Sequence, residues 1–188
     1  MIRHILEIDK NLFLTLNNMG SEKFDFFWLF FSNKIMIFLF FTIVTLSLCY
    51  KYEKQKLFII CFFLLTCVAL TDFLHVQLFK NIFMRLRPCW DLETLANMRL
   101  LVDCGGKYGF ISGHAANSAA IVTFLLFSFR HVNYILKYVL IIWVVLVSCS
   151  RIYLGKHYPL DVIFGIIFGF LMGFGIYQLY LYYKKYYA

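Results

Sequence analysis

A chain of 188 residues in which 62% are hydrophobic and 15% charged is too apolar for an ordinary soluble domain, and its length suits one domain. The formal net charge of +8 does not point to nucleic acid, because no polar groove interleaves basic residues with aromatics. The apolar residues come in runs long enough to cross a hydrocarbon core of about 30 Å, which takes ~20 helical residues.

The expected fold is therefore all-α. It is a polytopic membrane helix bundle with about five transmembrane helices and an N-terminal interfacial helix. Residues 1–188 read as a single membrane-embedded domain. No cleavable signal peptide is expected, because Arg3, Glu7, Asp9 and Lys10 break up any apolar core in the first 20 residues. Ile2, Ile5, Leu6, Leu12, Phe13 and Leu16 fall near one helical face instead, so residues 1–20 are expected to lie on the membrane surface.

The first span runs from Phe24 or Ile35 to Tyr50, with a bend expected where Ser32, Asn33 and Lys34 interrupt it. The second covers Leu57 to Phe79 and carries Asp72 and His75 in its last third. The longest polar stretch follows, with residues 80–111 expected to form an active-site loop. A third span starts at Ser112 and ends near Phe129, and a fourth runs from Tyr138 to Cys149. The stretch Ser150 to Asp161 leads into a fifth that ends near Tyr183.

Alternation of direction puts the end of the second span, the start of the third, the end of the fourth and the start of the fifth on one face. The unusual polar residues gather at those four points. The links on the other face are almost purely basic: Lys51, Lys54 and Lys56, then Arg130 and Lys137, then Lys184 and Lys185. That pattern suits a cytoplasmic face, which leaves the polar patch outside. The patch side carries more Lys and Arg in total, but most of the carboxylates lie there too.

Of six cysteines, Cys49, Cys61, Cys67 and Cys149 lie in or beside spans and are expected to be small core residues. Cys89 and Cys104 share the polar loop. Outside the cytoplasm they either pair, closing a loop of about 15 residues worth ~3 kcal/mol in the chain-entropy model, or remain two free thiols.

Three polar knots carry chemistry. Lys80 and Arg87, the latter followed by Pro88, offer a point charge and a planar fork suited to a phosphate dianion. Arg85 serves equally as a basic flank reaching the headgroups. Ser112-Gly113-His114 opens the third span with a residue favoured as N-cap, a glycine that permits close approach, and free amides that bind anions. Arg151, His157 and Asp161 form the third knot. The fork of Arg151 suits phosphate oxygens, His157 can attack phosphorus or move protons, and Asp161 four residues on shares its helical face and can orient the ring. Gly165, Gly169 and Gly173 make a smooth stripe for helix packing. Asp72 and His75 are costly at membrane depth and are candidates to support the site from behind.

In this order, Lys-x6-Arg-Pro, Ser-Gly-His and Ser-Arg-x5-His-x3-Asp resemble the signature of the type 2 phosphatidic acid phosphatase superfamily. One departure is Ile111, where that family's middle motif usually has proline. The Cys89–Cys104 loop resembles that of short bacterial members. The resemblance implies His157 as nucleophile, Asp161 as its orienting carboxylate, and His114 as acid and then base. Lys80, Arg87, Arg151, the Ser112 hydroxyl and the Gly113 amide would hold the phosphoryl oxygens.

No cofactor or metal is expected, since cations already supply the charge and no carboxylate cluster suits Mg²⁺. The implied activity is hydrolysis of a lipid phosphomonoester or pyrophosphate through a phosphohistidine. Candidate substrates are a polyprenyl pyrophosphate, phosphatidylglycerol phosphate, a lipid A phosphate or phosphatidic acid. Alternatives are a lipid phosphotransferase or a non-enzymatic anion transporter. The implied setting is a bacterial inner membrane with the site facing the periplasm, and the implied partners are the membrane and its lipid, with no nucleic acid. The oligomeric state stays open.

Overall fold

The computed structural model describes residues 2–187. Helix α1 (Ile2–Asn18) leads into α2 (Glu22–Ser32) and α3 (Lys34–Tyr52). Helix α4 (Leu57–His75) continues through a π-turn (Val76–Lys80) into the short α5 (Asn81–Phe83). A loop holding α6 (Leu92–Leu95) then precedes α7 (Gly113–Ser128), α8 (Tyr134–Tyr153) and α9 (Pro159–Tyr187). Among the described residues, four helical stretches are long and apolar enough to cross a membrane: Lys34–Tyr52, Lys54–Phe83, Tyr134–Tyr153 and Pro159–Tyr186.

The expected third span, from Ser112 to near Phe129, is α7 with its two caps, and it is short for a membrane helix. With 16 residues, α7 is about 24 Å long at 1.5 Å per residue, less than a bilayer core. It lies at the centre of the bundle, with an unbroken buried run from Ser118 to Leu125. A helix enclosed by protein has no need to match lipid thickness. Its neighbour α9 packs against it through the glycine stripe. A Cβ on Gly165 would stand 2.7 Å from the Ser112 carbonyl oxygen, and Cβ atoms on Gly169 and Gly173 would strike the carbonyls of Ala116 and Ala120. Backbone approaches backbone there, as small residues allow inside membranes. Phe41, Leu48, Ile60, Phe124, Leu140 and Tyr180 then fill the core.

The first span breaks where expected. Asn33 ends α2 and caps α3, its side-chain oxygen accepting from the amides of Ile35 and Met36 at 2.8 and 3.3 Å. Asn133 caps α8 in the same way through Leu136 at 2.8 Å. Pro159 supplies the first turn of α9, where its missing N–H costs nothing.

Helix α1 forms, but its apolar residues do not share one face. Asp9, Phe13 and Asn17, four apart, are all buried against the protein, while Ile5, Leu6, Leu12 and Leu16 face outward. The inward polar pair does structural work. Asn17 donates to the carbonyls of Arg99, Ile152 and Tyr153 and accepts from the Arg99 amide at 2.7 Å. It thus satisfies carbonyls that the end of α8 would otherwise leave open. Among the cysteines, Cys49 and Cys67 are buried as expected, but Cys149 is exposed on the outer side of α8.

Candidate active site

The four helix ends named above converge at one end of the bundle. Met84 takes a left-handed conformation (φ 44), rare for a residue with a side chain. It stops the α4–α5 rod and turns the chain back, so that Arg85 and Arg87 follow Lys80 into the same region. Lys80 itself ends the π-turn, a local widening of the helix common at functional sites.

The loop from residue 84 to 111 is tied down at several points. Leu86 and Tyr108 form an isolated antiparallel bridge, and the Arg87 amide donates to the Lys107 carbonyl at 3.1 Å. Cys89 and Cys104 are disulfide-bonded, with Cα atoms 5.8 Å apart. Arg87 Nη1 donates to the Cys104 carbonyl at 2.9 Å and Nε to that of Tyr108 at 3.3 Å. One half of this cystine thus lies two residues beyond Arg87, and the other supplies its hydrogen-bond acceptor.

His157 is buried between α8 and α9. Its Nδ1 stands 3.5 Å from Asp161 Oδ2 and, among the described residues, lacks a partner at strict hydrogen-bond geometry. Catalytic hydrogen bonds are often this long before substrate arrives. Burial, with Arg151, Arg87 and Lys80 nearby, pushes the ring's pKa well below the ordinary 6.5, so the imidazole is neutral and keeps a lone pair. Asp161 is held from two other sides. The Tyr158 amide donates to Oδ2 at 3.0 Å and Arg85 Nη1 to Oδ1 at 2.8 Å.

That contact corrects the reading of Arg85 as a headgroup-facing flank. Its guanidinium also donates to buried Asp9 at 2.5 Å and lies 4.2 Å from the centre of the Tyr158 ring. Asp9 in turn accepts from the Leu160 amide at 2.9 Å. The arginine joins α1 to the start of α9, where its fork engages two carboxylates at once. Sequence spacing gave no hint of this, because Asp9 and Arg85 are 76 positions apart and Arg85 and Asp161 another 76.

Ser112 heads α7, yet its hydroxyl does not cap the helix. The oxygen is buried with no partner among the described residues, while the Ser112 amide donates to the Asp161 carbonyl at 2.9 Å. That backbone link holds the turn that proline usually shapes, and Ile111 packs beside it, fully buried. At Gly113, a Cβ would meet His75 Nε2 at 2.8 Å. His75 is itself buried, with Nδ1 3.2 Å from the Thr71 carbonyl. It therefore backs the Ser112–Gly113 corner, whereas Asp72 is exposed and accepts from Asn117 at 3.1 Å.

His114 lies within electrostatic reach of His157 and Arg151, and its ring approaches the backbone of Ser32. Arg151, buried in the last turn of α8, donates through Nη1 to the Ser32 hydroxyl, while its Nε has no partner among the described residues. Ser32 thus touches two candidate residues from the C-terminus of α2. Sequence reasoning treated it only as an interruption; a hydroxyl at the break of an apolar run was the one available signal. Farther out, Arg99 pairs with Asp25 at 3.1 Å, and the Tyr153 hydroxyl donates to Asp25 at 2.7 Å, tying α2 to α8.

The arrangement offers three cations, a free buried hydroxyl, a neutral imidazole backed by a carboxylate and a second imidazole. That set can bind a phosphoryl group and displace its ester. Comparison with known proteins gives the same direction. The chain is 36% identical over 193 residues to a lipid A 4'-phosphatase of Porphyromonas gingivalis, covering 96% of this chain and 76% of that protein. It is 32% identical over 178 residues to one of Bacteroides thetaiotaomicron, covering 93% and 76%. Its fold matches the crystal structure of a PAP2 type phosphatidylglycerolphosphate phosphatase from Bacillus subtilis, with TM-score 0.71 and 18% identity over 97% of this chain and 89% of that one. It also matches Aquifex aeolicus LpxE, with TM-score 0.66 and 23% identity over 89% and 93%. The PAP2 superfamily model matches residues 56–185, the stretch that carries all three knots, and the chain belongs to that superfamily.

Proposed function

We propose that this protein, a membrane lipid phosphatase of the PAP2 type, hydrolyses its substrate through a phosphohistidine on His157. The observation that carries the reading is the buried His157 ring, 3.5 Å from an Asp161 carboxylate that Arg85 holds from the other side. The lone pair of His157 attacks phosphorus. The bond from phosphorus to the lipid oxygen breaks as His114 gives that oxygen its proton. His114 then takes a proton from water, the hydroxide attacks phosphorus, the N–P bond breaks, and inorganic phosphate leaves. Asp161 holds Nδ1 and balances the positive ring of the intermediate.

Lys80, Arg87, Arg151, the Ser112 hydroxyl and the Gly113 amide bind the equatorial oxygens, where charge gathers in the transition state. These groups supply the charge a metal would otherwise bring, so the reaction is metal-independent. Residues 1–188 act as one membrane-embedded domain. The basic links at the far end favour an inner-membrane protein whose site faces the periplasm. The two curated relatives make a lipid A phosphate the first candidate substrate, with phosphatidylglycerol phosphate, a polyprenyl pyrophosphate and phosphatidic acid to be compared beside it.

Purified protein in detergent should release inorganic phosphate from at least one of these lipids in excess EDTA. His157→Ala should lower kcat by about 10⁴-fold or more, and His114→Ala by about 10²–10⁴-fold. Acid-labile ³²P should appear on the wild-type protein and not on His157→Ala. Full activity in His157→Ala, or loss of wild-type activity in EDTA, would overturn the corresponding assignment. Transfer of ³²P to a second lipid rather than to water would make the protein a phosphotransferase.

A further inference from the structure

Besides Arg85, which Asp9 and Asp161 engage, five cations border the site, and one phosphoryl group uses three. Lys80, Arg87 and Arg151 act on the His157 ring. Lys156 and Lys34 stand outside that set, and among the described residues no side-chain hydrogen bond or ion pair holds either of them.

Lys156 precedes His157, and its amide shares the Arg151 carbonyl with that of His157, at 2.9 and 3.2 Å. Its ammonium and the Arg87 fork converge on one spot. Measured to the place where a Gly105 side chain would begin, Lys156 Nζ is 3.8 Å away and Arg87 Nη1 3.3 Å. Lys34 begins α3, two residues after the Ser32 that touches Arg151 and His114. A lysine at a helix N-terminus opposes the helix dipole. The charged groups within electrostatic reach of Lys156 are Arg151 from α8, Arg87 and Asp103 from the loop, and Lys34 from α3. Only Asp103 is acidic, and it lies exposed. Such an arrangement is costly for folding alone, and costly charge placement gathers at functional sites.

We propose that Lys34 and Lys156 form a second anion subsite at the mouth of the phosphoryl site, which binds a phosphate or carboxylate carried by the leaving group of the lipid. The inference rests on the phosphatase reading above, in which His114 stands at the leaving oxygen; Lys34 lies on that flank. The substrate class it selects is a phospholipid or phosphoglycolipid with a further anion close to the scissile bond. A diphosphate or a glycerophosphodiester meets that requirement, and so does an acidic sugar. Phosphatidic acid, with a neutral diacylglycerol leaving group, does not.

Three small probes separate the possibilities without turnover: methylphosphonate with one anionic group, methylenediphosphonate with two phosphonates, and phosphonoacetate with a phosphonate and a carboxylate. Each is titrated into the full-length protein in detergent by calorimetry. At pH 7 at least one two-anion probe should bind about tenfold tighter than methylphosphonate, as one charge-assisted contact allows. A diphosphonate advantage assigns phosphate, and a phosphonoacetate advantage assigns carboxylate. Lys34→Gln with Lys156→Gln should shrink that advantage below twofold and leave methylphosphonate affinity within twofold of wild type. Burial and its cationic neighbours push Lys156 down to about 8, so the advantage should also decline as pH rises through that value. Equal affinity for all three probes, or an advantage that survives the double substitution, overturns the subsite. Failure of methylphosphonate itself to bind overturns the phosphoryl site instead.

Discussion

Both ends of this bundle are basic, yet they treat charge in opposite ways. At the far end, among the described residues, the ionic contact is local and shallow: Lys56 pairs with Glu53 at 2.8 Å, three residues away, and both are part-exposed. At the site end Arg85 joins Asp9 and Asp161 across 76 positions each way, and both carboxylates are buried. Charge at helix ends therefore says little by itself. A surface pair is worth about 0–1 kcal/mol, whereas removing one member of a buried set strands the others in a poor solvent for ions.

The sharpest way to break the comparison is Arg85→Ala. It leaves Asp9 and Asp161 unpaired, and thermal unfolding in detergent should show a loss of about 3–5 kcal/mol, with activity falling too because Asp161 loses its outer clamp. Arg85→Lys should recover only part, since a point charge cannot bridge both acids. An unchanged Tm in Arg85→Ala would remove the distinction between the two ends.

Next in size is the cystine. Cys89→Ser with Cys104→Ser should cost up to ~3 kcal/mol by the chain-entropy argument. KM should rise more than kcat falls, because Arg87 leans on the Cys104 carbonyl. Identical KM values for the double variant and wild type would limit the cystine to stability. A smaller effect is expected at Ser32. Ser32→Ala removes the hydroxyl that Arg151 donates to, a charge-assisted contact of about 1.5–3 kcal/mol, and kcat/KM should drop about tenfold, while Ser32→Thr should retain most of it.

Proton dependence sharpens the comparison without mutation. The value for His157 is lowered, so its ring stays neutral as pH falls through 6.5 and protonates only well below. The pH profile of kcat/KM should therefore show no acid-side loss caused by nucleophile protonation near 6.5. A loss there in wild type that persists in His114→Gln residual activity would contradict the buried, neutral assignment. The smallest effect belongs to the other end: Glu53→Ala should shift stability by less than about 1 kcal/mol and leave turnover unchanged.

Composition and order alone determined the broad outcome. Apolar runs must be helical in a bilayer, because each backbone polar group needs a partner within its own segment. Alternating direction then brings the ends of the runs to one face. The candidate residues Lys80, Arg87, Ser112, His114, Arg151, His157 and Asp161 could be singled out because their types and spacings are local, and the break at Asn33 was readable because a capping residue interrupts an apolar run. What only the tertiary structure decided depends on long-range burial. Asp9 and Asn17 look like the polar side of a surface helix, yet they point into the protein, because Arg85 and the open end of α8 need them there. Arg85 looks like a headgroup anchor until two carboxylates reach it. The bounds of α7 were readable, but its burial at the centre, where protein rather than lipid surrounds it, was not. Periodicity records which residues share a face, but which face is inward is settled by partners that the chain places 76 or more positions away.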